Sequence, residues 1–86
     1  MPEICRFFGI IIRMFYNDHS PAHFHAIYGD EECEINIETL EIIKGSMNKR
    51  AYTLILEWAV EHRSELLEDW TLARNKEDLK KIVPLR

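Results

Sequence analysis

Ala22-His23-Phe24-His25-Ala26-Ile27-Tyr28-Gly29-Asp30-Glu31-Glu32-Cys33-Glu34-Ile35-Asn36-Ile37 is the stretch that decides the fold. Gly29-Asp30 reads as a two-residue hairpin turn, because glycine supplies the positive φ such a turn needs. Folding there sets Tyr28 opposite Glu31, Ala26 opposite Cys33 and Phe24 opposite Ile35. On the other side of the ribbon, His25 meets Glu34 and His23 meets Asn36. Strand side chains alternate between faces, so the two histidines share one face and the apolar residues the other.

The preceding residues extend the same pattern. Residues 10–16 are β-branched or aromatic, as strands prefer. A five-residue turn over 17–21 brings Met14 beside Phe24, Ile12 beside Ala26 and Ile10 beside Tyr28. It also puts Arg13 beside His25 and Phe15 beside His23. Both registers assign Ile10, Ile12, Met14, Phe24, Ala26, Cys33, Ile35 and Ile37 to one core face. A slip of one residue would exchange the faces and bury the histidines instead. The reverse face carries the rows Arg13–His25–Glu34 and Phe15–His23–Asn36, with Ile11 and Ile27 beside them and nothing expected to cover them.

Residues 3–7 form a first strand, followed by a turn at Phe8-Gly9. After a turn at Thr39-Leu40, residues 41–44 form the last strand. The period then changes. Ala51, Leu54, Ile55, Trp58 and Ala59 recur at three- and four-residue steps and mark a helix over about 47–62. Ser64 reads as the N-cap of a second helix to residue 74, with Leu66, Leu67, Trp70 and Ala73 as its buried stripe and Asn75 as a left-handed stop. His62, at the end of the first helix, reads as a dipole partner. The expected fold is α+β: an antiparallel meander of four to five strands over 3–44, with a helical hairpin (47–62 and 65–74) on one face. Residues 1–86 read as a single domain.

The net charge of −4 is unevenly spread. Residues 31–43 hold five glutamates and no base, whereas residues 44–86 hold nine bases against seven acids. That distribution lacks a nucleic-acid footprint, and Lys44, Lys49 and Arg50 read as a solvated helix start. Cys5 and Cys33 are too few for a disulfide framework and read as buried thiols. No apolar run approaches the ~20 residues a bilayer requires, and Met1-Pro2-Glu3 does not begin a signal peptide. The expectation is a cytoplasmic protein with no membrane contact.

Three readings of the histidine face stay open. As a metal site, His23 and His25 supply a same-face pair, and His19 from the loop or Glu34 from the next strand completes a set suited to zinc or iron(II). Arg13 beside His25 counts against a dication there. As an acid–base site, His23 and His25 move protons while Arg13 steadies a phosphate oxyanion, in the manner of a metal-independent ribonuclease. The simplest reading is cross-strand complementarity among Arg13, His25 and Glu34. Three large apolar groups on that face, Ile11, Phe15 and Ile27, also suit contact with another chain.

These residues carry a resemblance to a small bacterial family, domain of unknown function 4160. It runs through Arg6-Phe7-Phe8-Gly9-Ile10, Asn17-Asp18-His19, Pro21, His23-Phe24-His25-Ala26, Tyr28 and Ile35-Asn36-Ile37-Glu38-Thr39. It continues in Leu56-Glu57-Trp58, Leu66-Leu67-Glu68-Asp69-Trp70 and Ala73-Arg74-Asn75. Leu40 stands where the family's turn has glycine. The resemblance implies one half of a toxin–antitoxin-like gene pair beside another small protein, and it implies no activity. The expected function is therefore a protein-interaction component of such a two-gene module, pairing with the neighbouring gene product or with itself. The alternative is a small metal-dependent hydrolase or metal-independent ribonuclease.

Overall fold

A computed structural model describes residues 2–86. Five strands run in meander order: β1 (Glu3–Phe7), β2 (Ile10–Arg13), β3 (His23–Tyr28), β4 (Glu31–Asn36) and β5 (Ile42–Gly45). All neighbours are antiparallel. Helices α1 (Lys49–Glu61) and α2 (Arg63–Arg74) follow, so the fold is α+β with the strands first.

The two hairpins adopt the expected registers. Ile12 pairs with Ala26 and Arg13 with His25. His23 pairs with Asn36, Phe24 with Ile35, and His25 with Glu34. Gly29 holds φ 59 in the turn between them. All eight residues assigned to the core face are buried. They pack with Ala51, Ile55, Trp58 and Ala59 of α1 and with Leu66, Trp70 and Ala73 of α2. Trp58 is central: its ring meets Phe7 and Phe24 at 5.4 and 6.0 Å, and its indole N–H donates to the Val83 carbonyl at 2.8 Å. A buried indole of this kind needs a partner for its one donor, and the C-terminal tail supplies it.

Several boundaries differ from expectation. β2 stops at Arg13 rather than 16, and β4 stops at Asn36 because the Asn36 side chain accepts from the Glu38 and Thr39 amides and starts a turn. β1 carries an irregularity between Glu3 and Cys5, which leaves both Ile4 and Cys5 buried. α2 begins at Arg63, not after a Ser64 cap. His62 joins the two helices without capping the second through its side chain, and bonds instead to Glu65. The left-handed residue after α2 is Lys76, not Asn75. On α2 itself, Leu67 is exposed and Asp69 is buried. The carboxylate takes that inward place because it accepts the Lys80 backbone N–H at 2.9 Å, which holds the tail against the helix. At the end of β5, Gly45 has φ +81, and a Cβ there would lie 2.3 Å from the Glu32 carbonyl oxygen.

Candidate functional site: a histidine–carboxylate group on the reverse sheet face

Strand alternation puts His23 and His25 on the face opposite the helices' main contact, yet both are buried, at 5% and 7% exposure. The open polar face expected from sequence is therefore closed over the histidines. The Phe15 ring stands edge-on to His25 at 4.3 Å, and Trp70 lies against His23 at 5.2 Å. Ile11, Phe15 and Ile27 are only half-buried.

The loop between β2 and β3 supplies the central acid. Asp18 Oδ2 lies 3.1 Å from His23 Nε2 and 3.0 Å from His25 Nε2. On His23, the second nitrogen faces the Pro21 carbonyl at 2.7 Å. A carbonyl only accepts, so His23 Nδ1 must carry a hydrogen. In a neutral ring, that leaves the Nε2 lone pair aimed at carboxylates: Asp18, and Glu34 Oε1 at 3.6 Å. Such a lone pair needs a cation in front of it, either a bound proton or a metal ion. His25 Nδ1 is buried without a hydrogen-bond partner, and Glu32 stands 3.6 Å away.

The sequence-derived site residues divide accordingly. His23, His25 and Glu34 come together. Arg13 pairs with His25 in register, but its Nε is buried with no hydrogen-bond partner. His19 is exposed and lies outside the convergent group, whose members are Asp18, His23 and His25, with one ligand atom from each within 4.8 Å of the others. Asp18 was missed because an irregular loop has no period to say whether position 18 or 19 turns inward. The pairing of carboxylates is also diagonal. Glu34 sits opposite His25 but reaches His23, and Glu32 sits opposite Ile27 but reaches His25. Asn36, opposite His23, is occupied by its turn.

Fold and site together define a small α+β protein with a buried histidine–carboxylate group and, among the described residues, no helix long and apolar enough to cross a membrane. The chain belongs to the family described as domain of unknown function DUF4160, whose model matches residues 9–71. That span includes every member of the group. No curated protein and no solved structure matches the chain.

Proposed function

We propose that this chain is a divalent-metal-binding protein that holds zinc or iron(II) through Asp18, His23 and His25, with Glu34 completing the set. The observation that carries this reading is the convergence of both Nε2 atoms on one Asp18 oxygen while Pro21 holds His23 Nδ1 as a donor. A backbone carbonyl on the far nitrogen is the usual way a ligating imidazole is oriented. Ligands about 2.0–2.1 Å from a tetrahedral zinc lie roughly 3.3 Å apart. The nitrogen–oxygen separations of 3.0, 3.1 and 3.6 Å bracket that value.

Elemental analysis of protein purified without a histidine tag, followed by zinc titration at pH 7.5, tests the site. We expect about one equivalent of metal. Asp18→Ala and His25→Ala should lose it, and His19→Ala should keep it. Less than about a tenth of an equivalent, with no uptake on titration, ends the metal reading.

A second reading draws on Arg13, whose buried, unpartnered Nε is a donor placed beside the histidines. In this reading the cation in front of His23 is a proton, and the site performs metal-independent acid–base chemistry on a phosphodiester. The glutamates around it oppose binding of a polyanion. RNA cleavage that persists in chelator and disappears in His25→Ala would support it.

In its cellular role the chain acts as a bacterial, cytoplasmic interaction component of a toxin–antitoxin-like module. Supporting this are the half-buried Ile11, Phe15 and Ile27 and the outer edge of β5, which pairs with no strand among the described residues and exposes Ile43. Open edges invite pairing with another chain. Co-purification with the neighbouring gene product, and growth with each expressed alone and together, test it. No association at about micromolar concentration would remove the interaction role.

A further inference from the structure

At the end of the sheet where the β1–β2 and β3–β4 turns meet the start of α1, Phe8, Tyr28, Ala51 and Leu54 help line a groove of about 390 Å³, together with Asn48 and Arg50. Phe8 is 61% exposed and holds φ 49, a backbone conformation L side chains rarely adopt. Its neighbour Phe7 is buried in the core, whereas Phe8 only meets Phe7 edge-on at 6.4 Å. The two-residue β1–β2 turn itself requires positive φ at Phe8 and Gly9 and favours Asn, Asp or Gly at the first position. The turn therefore accounts for the backbone conformation but not for a large exposed aromatic ring there. Tyr28, 41% exposed, stands near Phe8 across Gly9, whose added Cβ would touch the Tyr28 ring at 3.3 Å.

The groove's charge is equally specific. Asn48 is committed: it caps α1 through Ala51 N–H, and its amides engage Glu31. Arg50 is the one charged residue lining the groove, and it makes no ion pair among the described residues. An apolar slot with one free cation fits an apolar body carrying one anion.

We propose that this groove docks an extended segment of a partner protein in which a large apolar side chain adjoins an aspartate or glutamate. The side chain lies between Phe8 and Tyr28, and the carboxylate meets Arg50. The inference rests on the interaction role above and names the chemistry of the partner; it shares no residue with the metal group. A solvated helix start is the competing account of Arg50, and it provides no reason for Phe8.

The probe is a capped phenylalanine–aspartate dipeptide, titrated into nitrogen-15-labelled full-length protein and followed by amide chemical shifts. We expect saturable shifts at Phe8, Tyr28, Ala51 and Leu54 with a dissociation constant of about millimolar order. The phenylalanine–asparagine analogue should bind about two- to fivefold more weakly. Arg50→Gln should abolish that preference. Phe8→Gly, which relieves the backbone strain, should keep the thermal midpoint and lose the binding. Equal affinity for both dipeptides, shifts mapping elsewhere, or binding retained in Phe8→Gly would overturn the proposal. Association with the neighbouring gene product that survives Phe8→Gly and Arg50→Gln would also overturn the groove while leaving the interaction role intact.

Discussion

His23 and Asp18 form the central polar contact of the reverse face, with Nε2 and Oδ2 3.1 Å apart and the same Oδ2 3.0 Å from His25. The contact ties the β2–β3 loop to the middle of the sheet. Asp18→Ala removes the carboxylate that both buried imidazoles face and should cost about 1–3 kcal/mol. His19→Ala, one position away and exposed, should stay within about 0.5 kcal/mol. Urea unfolding of both variants measures the difference. Equal effects would mean the carboxylate is not what holds the loop.

Leu40 combines two opposing features: it is buried, at 7% exposure, and it holds φ 63. Truncation removes packing worth about 1.5–3 kcal/mol in either Leu40→Ala or Leu40→Gly. Only glycine also relieves the left-handed strain, so Leu40→Gly should exceed Leu40→Ala in stability by about 1 kcal/mol. That ordering reverses the usual one. Thermal unfolding of the two variants reads it directly.

Asp69 controls a pH dependence of opposite sign to most carboxylates. Burial pushes its carboxyl above the ordinary value, with the Lys80 N–H pulling weakly the other way, and Oδ2 has no partner. A folded-state value above the unfolded one means the folded chain binds the proton more tightly. This group's stabilising contribution is present while it is protonated and is lost as pH rises past the ordinary aspartate range. Asp69→Asn keeps an oxygen for the Lys80 N–H and carries no charge. It should be more stable than the parent at pH 7, with the advantage shrinking as pH falls toward the ordinary aspartate value near about 4 and levelling off below it. Urea midpoints across pH 3–8 test this. An advantage that grows on acidification would contradict it.

Cys5 and Cys33 are both pushed up to about 11 by burial. The thiolate is the reactive form, so well under ~1% of either would react-ready exist at pH 7.5. Iodoacetamide should label both at least about a hundredfold more slowly in folded protein than in urea. Intact-mass spectra taken over time follow the labelling.

The strand half of this fold was legible because its information is local. Turns of two and five residues set each register, and alternation then assigns the side chains of Ile10–Arg13, His23–Tyr28 and Glu31–Asn36 to a face. Ile12, Phe24 and Ile35 had nowhere to go but the core. Helical spacing likewise identified Ile55 and Trp58 as inward. What the sequence determined by itself, then, was the meander, its register, the inward stripe of α1 and the gathering of His23, His25 and Glu34.

Other features depend on contacts between segments far apart in the chain. Asp69 faces inward because a backbone amide eleven residues later needs an acceptor, a demand no period reports. Asp18 displaces His19 from the histidine group in a loop where neither position has a preferred side. That loop lies beside α2, and Arg74 donates to Ser20 Oγ at 3.3 Å. The histidines are buried on a nominally open face because Phe15 and Trp70 close against their rings. Pairing along a strand follows from the periodicity of the chain, whereas the closing of a face depends on which distant side chains tertiary packing brings over it.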